Sequence, residues 1–187
     1  MLVLASKSPR RQQILRDAGI AFVVRAADVA EERQPQESPV DYVRRLAAEK
    51  ASAVPLQAGE IVLGADTVVV VEGLVLEKPH DDADAARMLG LLSGREHDVI
   101  TGVCLRSATE QFVDVAATRV RFVTLAPGEI AAYVAGGEPM DKAGGYAIQG
   151  LASKFIDRIE GDYFNVVGLP IALVWRRLKE LCSGPVT

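Results

Sequence analysis

The sequence predicts an α/β fold built on a mixed sheet, and three observations carry that expectation. Strand-like and helix-like segments alternate along the chain without a repeat or a linker. The run from Ile61 to Val71 is almost continuously apolar and β-branched, the pattern of a central strand buried on both faces. A Ser-Pro pair twice precedes a helical pattern, at Ser8-Pro9 and Ser38-Pro39, where serine caps the helix and proline opens its first turn. A length of 187 residues suits one domain, or one domain with two lobes.

The elements follow in order. Leu2 to Ala5 reads as a short buried strand. The helix opened by Ser8 runs to Ala18 and stops at Gly19, and Ile20 to Arg25 reads as a second strand. A polar, acidic loop covers Asp28 to Glu37. The helix capped by Ser38 extends to about Val54, with Val40, Val43, Leu46 and Ala47 at helical spacing. After the strand Ile61 to Val71, Glu72-Gly73 makes a turn. Asp81 to Leu92 is helical and ends at Ser93-Gly94. Val99 to Leu105 and Val113 to Val123 are strand-like, and Pro127 to Ala135 is a short helix. A glycine-rich loop from Gly136 to Gly150, a strand from Phe155 to Ile159, a loop from Gly161 to Gly168 and an amphipathic helix from Leu169 to Leu181 complete the chain.

Composition excludes several function classes. The net charge of −4 argues against a protein that coats nucleic acid, which needs a basic face, yet leaves room for a small basic pocket. Two cysteines, Cys104 and Cys182, do not make a disulfide framework, and the reducing cytosol is the simplest compartment. No apolar run reaches the roughly 18 residues of a membrane span, and the apolar start is too short for a leader peptide. Order is expected throughout except at the tail Ser183-Gly184-Pro185-Val186-Thr187.

Four features bear chemistry. In Ser6-Lys7-Ser8-Pro9-Arg10-Arg11 a strand delivers a loop to a helix N-terminus, where free N–H groups and the helix dipole favour an anion. Two arginines in a first turn oppose that dipole, and a bound polyphosphate would offset them; the plainer alternative is a capped helix with solvated arginines. Asp66 is a lone carboxylate inside an apolar strand, costly to bury unpaired. It ends the strand as a structural aspartate, binds a metal, or activates water. Lys50, Lys78, Glu31 and Glu32 are ordinary surface residues singly, but with Asp66 they would supply carboxylates for a divalent ion and cations for phosphates. In the glycine-rich loop, Gln149 offers a donor and an acceptor to a base edge. No Gly-Lys-Ser/Thr follows the glycines, so the loop is not a P-loop. His80 and His97 lack metal-ligand spacing and read as structural or surface. Ser153, Cys104 and Cys182 have no adjacent base, and the stripe Leu169, Leu173, Leu178 and Leu181 reads as core or interface.

The ordered set Ala5-Ser6-x-Ser8-Pro9-Arg10-Arg11, Gly64-Ala65-Asp66-Thr67-Val68-Val69, Glu77-Lys78-Pro79, Leu92-Ser93-Gly94-Arg95-x-His97-x-Val99-x-Thr101, Asp141-Lys142-Ala143-Gly144, Ile148-Gln149-Gly150 and Val167-Gly168-Leu169-Pro170 resembles the Maf family of nucleotide pyrophosphatases over essentially the whole chain. The resemblance implies a single domain over residues 1–187 with a fold like that of the inosine triphosphate pyrophosphatases: a long mixed sheet flanked by helices, in two lobes with a central cleft. It implies hydrolysis of a nucleoside triphosphate to the monophosphate and pyrophosphate, a divalent cation (Mg²⁺ or Mn²⁺), a cytoplasmic location and, in many members, a homodimer, with neither membrane nor stable nucleic-acid binding. Carried over by position, Asp66 matches the proton acceptor. Ser6, Arg11, Glu31, Lys50 and Lys78 match the phosphate- and metal-handling set, with Glu31 and Asp66 as metal ligands and Glu32 an alternative for Glu31. Arg10, Thr67 and Gln149 match positions linked to substrate choice. The Asp141 to Gly150 loop looks like the dTTP/UTP subgroup. Gly145 departs from the family, where a larger small residue is common, and is expected to alter loop flexibility. Two rivals stand beside this reading: a non-catalytic nucleotide-binding regulator of cell division, and a sanitising enzyme specific for modified pyrimidine nucleotides.

Overall fold

Strand β1 (Leu2–Leu4) leads through Ser6 to Ser8 into helix α1 (Pro9–Asp17), and β2 (Phe22–Val24) follows. Helix α2 (Pro39–Ser52), β3 (Ile61–Val71), β4 (Leu74–Leu76), α3 (Asp82–Leu92), β5 (Glu96–Arg106), β6 (Gln111–Phe122), α4 (Pro127–Ala135), β7 (Ile156–Glu160), α5 (Tyr163–Val167) and α6 (Ile171–Ser183) complete the order. The structure is a computed structural model and describes residues 1–183, so the expectation for the tail from Gly184 onward lies outside the described residues. The seven strands form one mixed sheet in the order β2-β1-β3-β5-β6-β7, with β4 paired to β3. The mixed sheet flanked by helices is the expected architecture.

The caps act as the two serines predict, and Asp81, read as the first residue of its helix, proves to be a third cap. Ser8 Oγ accepts from the Arg11 N–H at 3.4 Å, Ser38 Oγ from Asp41 at 3.1 Å, and Asp81 Oδ1 from Asp84 at 2.7 Å. Each satisfies an N–H that the helix itself leaves without a partner. Three features were not anticipated. Strand β4 returns antiparallel on β3, with Val69 opposite Leu76; Glu72 and Gly73 both adopt positive φ, as a tight two-residue hairpin requires. Helix α5 occupies the segment read as a loop after Gly161. Three 3₁₀ turns (Glu138–Asp141, Ala143–Gly145 and Leu151–Phe155) punctuate the glycine-rich stretch and its continuation. Strand β2 is also shorter than the Ile20 to Arg25 run. No helix among the described residues is long and apolar enough to cross a membrane.

The chain divides into two compact units, the first Met1–Asp66, Thr101–Ala116 and Gly168–Thr187, the second Thr67–Ile100 and Ala117–Val167. In the first, α2 lies directly on the sheet, and two strand glycines make this approach achievable. A Cβ on Gly64 would stand 2.2 Å from the Ala47 carbonyl oxygen, and one on Gly102 2.2 Å from that of Val43. Val3, Ala5, Ala47, Ala51, Val54, Val62 and Cys104 fill this core. Arg106 then caps the far end of α2, donating through Nη2 to the carbonyls of Ala51 and Val54 at 3.0 and 2.7 Å. In the second unit the core gathers Val69, Leu89, Leu92, Phe122, Tyr146 and Phe155. Each large apolar side chain buried there stabilises the fold by roughly 1.5–3 kcal/mol.

Candidate active site

In the first unit, three parallel strands point their C-terminal ends the same way. Leu2 pairs with Phe22 on one side and with Ile61 on the other, and Leu4 pairs with Val24 and Leu63. The loops that leave these ends therefore share one edge, where ligands of open α/β sheets collect. β1 delivers Ser6 and the N-terminus of α1, β2 delivers the acidic loop with Glu31, and β3 carries Asp66 just past its pairing with β1.

The position of Asp66 follows from strand alternation. Gly64 faces α2 at Ala47 and Ala51, and a residue two further along faces the same way. That residue is Asp66, and Lys50 stands between Ala47 and Ala51 on the helix turn that meets it. Lys50 Nζ lies 2.6 Å from Asp66 Oδ1 and 2.6 Å from Glu31 Oε1. Asp66 is 8% exposed. Burial pushes its carboxyl above the usual carboxylate range, opposed by the charges of Lys50 and, more weakly, Arg11. A carboxylate so placed is a better proton acceptor than an ordinary aspartate.

Glu31 reaches this point because its loop is tied to α2. Arg45 donates from Nε and Nη2 to the Glu37 carboxylate at 2.7 and 2.8 Å, and from Nη2 to the Glu32 carbonyl at 3.0 Å. The Glu37 carboxyl is held down at about 2, first by that bond to Arg45. Tyr42 Oη donates to the Glu31 carbonyl at 3.1 Å. Of these two neighbours, the Glu31 side chain meets Lys50, and Glu32 offers its main chain to Arg45. Sequence reasoning missed Arg45 and Tyr42 as the holders of this loop. Their one signal was their three-residue spacing on α2, which makes Tyr42 and Arg45 neighbours on the helix surface.

Ser6 and Arg11 form the adjoining wall. Ser6 Oγ accepts from the Ser8 N–H and from Arg11 Nη1, each at 3.2 Å, and Arg11 Nε donates to the Gly168 carbonyl at 2.8 Å. Arg11 is thus oriented by the motif on either side of it, one from each end of the chain. Burial lowers its pKa, and the negative charge of Asp66 opposes the shift. No acidic residue sits in the first turn of α1, so Arg10 and Arg11 stand unopposed by their own helix at its positive end.

Thr67, Lys78 and Gln149 belong to the second unit. Thr67 follows Asp66 in β3. Lys78 is exposed just after β4, and Gln149 is exposed on the glycine-rich loop. The Gly144 N–H donates to the carbonyl of Glu77, the residue before Lys78, at 3.0 Å. Gly144 and Gly145 both take φ near +70°. At Gly145 this left-handed conformation is one that a larger residue meets only with strain. His97 is buried and structural in its contacts, as expected, while His80 is exposed.

The carboxylates suit a magnesium-like ion that keeps most of its ligands from elsewhere. Glu31 and Asp66 converge on one nitrogen, so their nearest oxygens are at most twice 2.6 Å apart. No group of three or more His, Cys, Asp or Glu able to hold a metal gathers among the described residues. One or two carboxylates completed by substrate phosphates and water is the usual arrangement for Mg²⁺ at nucleotide sites.

Residues 1–181 match the family described as "Maf-like protein". A protein of Koribacter versatilis named dTTP/UTP pyrophosphatase is 51% identical over 180 residues, covering 96% of this chain and 93% of that one. A protein of the same name from Symbiobacterium thermophilum is 55% identical over 171 residues, covering 91% and 88%. A nucleoside-triphosphatase/dITP/XTP pyrophosphatase structure from Mycobacterium abscessus aligns with a TM-score of 0.45 at 14% identity, covering 100% of this chain and 99% of that one, a likeness too slight to carry an argument.

Proposed function

Because the chain belongs to the Maf-like family, we infer that it is a nucleoside triphosphate pyrophosphatase that hydrolyses dTTP and UTP to the monophosphate and pyrophosphate. It is a hydrolase acting on phosphoric anhydrides, and its relatives of about half-identical sequence carry that activity in their names. The observation that supports the residue roles best is the convergence of Lys50, Asp66 and Glu31 on one point beside the Ser6–Arg11 loop.

In this reading Ser6 and Arg11 bind phosphate oxygens at the N-terminus of α1, where N–H groups and the helix dipole already favour an anion. Lys50 and Lys78 neutralise charge that grows on the leaving pyrophosphate. Asp66 takes the proton of the water that attacks the α-phosphorus, a role its raised pKa serves. Glu31 and Asp66 would hold Mg²⁺ or Mn²⁺, which would supply Lewis-acid polarisation of the phosphate chain. Lys50 keeps the two carboxylates together when no other cation does. Arg10, Thr67 and Gln149 choose the base. The cytoplasmic location and the homodimer are carried over from the resemblance, and light scattering on the purified protein tests the second.

Asp66→Asn tests the assignment. Asparagine keeps the shape and removes the proton acceptor, so pyrophosphate release from dTTP and UTP should fall by about 10²–10⁴ while the melting temperature stays close to wild type. EDTA should abolish release, and added Mg²⁺ or Mn²⁺ restore it. Near wild-type turnover in Asp66→Asn would sink the role of Asp66. Tight binding of dTTP with no pyrophosphate release under any metal would favour a regulator over an enzyme. A panel of normal and modified pyrimidine triphosphates separates dTTP/UTP hydrolysis from a sanitising role.

A further inference from the structure

His97 lies in the second unit, 3% exposed, in a motif to which the reaction assigns nothing. Its Nε2 is 2.8 Å from Tyr146 Oη, a fully enclosed contact. Its Nδ1 is buried without a hydrogen-bond partner among the described residues. Both rings stand edge-on to Phe122, with centroids 5.1 Å (His97) and 4.9 Å (Tyr146) away. A phenylalanine could fill the same space with no polar atom to bury, so packing alone gives no reason for an imidazole here. Burial holds the ring neutral, with its pKa lowered to about 4. The one polar interaction it makes is with Tyr146.

Tyr146 lies in the loop that carries Gln149, and further contacts hold that loop on either side of it. Before it, Gly144 donates to the Glu77 carbonyl at 3.0 Å, and a Cβ there would press to 2.8 Å from the side chain of Val69. After it, the Ala147 N–H donates to Tyr133 Oη at 3.3 Å. Tyr133 Oη in turn donates to Glu138 Oε1 at 2.8 Å, and Glu138 Oε2 accepts from the Leu151 N–H at 3.1 Å. Gly150 leaves room for that carboxylate, since a Cβ would stand 2.3 Å from it. The backbone is therefore pinned on both sides of the exposed Gln149, and the His97–Tyr146 bond sets the depth of the pin in the middle.

We propose that His97 and Tyr146 are positioning residues for base recognition: their buried hydrogen bond fixes the Gly144–Gly150 loop and, through it, the amide of Gln149. A side chain amide distinguishes bases by donors and acceptors placed to within a fraction of an ångström, so a loop free to shift loses discrimination before it loses binding. The proposal rests on the reading of Gln149 as a base-contacting residue.

The test is a double-mutant cycle on binding, which separates it from the question of catalysis. Tyr146→Phe keeps the ring stack and removes the hydroxyl, and His97→Phe removes the same bond from its other side. Affinities are measured by calorimetry for the α,β-imido analogues of dUTP and dGTP with wild type, Tyr146→Phe, His97→Phe, Gln149→Ala and the pair Tyr146→Phe/Gln149→Ala. Each single change should cut the preference for the dUTP analogue by about tenfold, the worth of one well-placed hydrogen bond. The double variant should be no worse than Gln149→Ala alone, because both act through one contact. Equal weakening for both nucleotides, additive effects in the double variant, or an unchanged preference in either bond-breaking variant overturns the proposal. So does a preference that survives Gln149→Ala. Pyrophosphate release by the wild type bears on the enzymatic reading and leaves these outcomes intact.

Discussion

Replacing Lys50 with methionine probes the charged cluster at its centre. The lysine side chain is 12% exposed, and its ammonium stands 2.6 Å from both Asp66 Oδ1 and Glu31 Oε1. Methionine keeps most of the stem and removes the charge. Two carboxylates then face each other across at most twice that distance, and one of them is buried. Removing one partner from a fully buried ion pair costs about 3–5 kcal/mol. Glu31 is 42% exposed and turns to water easily, which places the expected loss near the low end, about 3 kcal/mol at neutral pH. The sign of the pH dependence follows from Asp66. Burial raises its carboxyl pKa, and loss of the Lys50 charge raises it further. Over the span between the unfolded and the folded pKa, the native state holds a proton that the unfolded chain has released. Stability falls as pH rises through that span. The gap between Lys50→Met and wild type should therefore widen as pH rises from about 4, near the ordinary aspartate pKa. Urea unfolding at a series of pH values reads it directly. A gap independent of pH, or a variant as stable as wild type at pH 8, would refute the coupling of Lys50 to Asp66.

Gly64→Ala should cost about 3 kcal/mol or more, because its Cβ would lie 2.2 Å from a helix carbonyl and 2.7 Å from a helix N–H that cannot both retreat; an unchanged urea midpoint would show that α2 does not rest on the strand there. The acidic limb of kcat/KM should titrate above the ordinary carboxylate range, since burial raises the Asp66 pKa in the free enzyme. Its persistence in Asp66→Asn would assign the limb to another group. Arg45→Met frees the acidic loop from its two-pronged hold on Glu37. It should raise KM for the metal-bound nucleotide by about tenfold with a smaller change in stability, and unaltered kinetics would mean that Glu31 does not need its loop fixed.

The local signals in the chain were sufficient for most elements. Serine before proline marked α1 and α2, because a side-chain oxygen and a fixed φ answer the needs of a helix start wherever they occur. The apolar run at β3 marked the central strand for the same reason. Strand β4 and helix α5 escaped, since a three-residue strand and a single-turn helix have too few residues to show a period, and their formation depends on the partner they meet. The final helix illustrates the opposite case: Leu178 in it and Leu169 just before it are buried as the stripe suggested, Leu173 and Leu181 are only half-buried, and Trp175 is half exposed.

By itself the sequence determined the fold class, the family pattern and the candidate chemical groups: the loop from Ser6 to Arg11, the lone Asp66, the cations and the glycine-rich stretch with Gln149. Those are properties of residue type and short spacing. The tertiary structure alone decided which of them meet. Lys50, Asp66 and Glu31 come together from three elements, and they do so because Gly64 lets α2 touch β3 and because Arg45 and Tyr42 fold the acidic loop back on that helix. Glu31 was thereby brought to Lys50, and His97 was given Tyr146 as a partner. Contacts between residues far apart in the chain depend on the approach of backbones to within a few ångströms, and no local pattern of side chains encodes that distance.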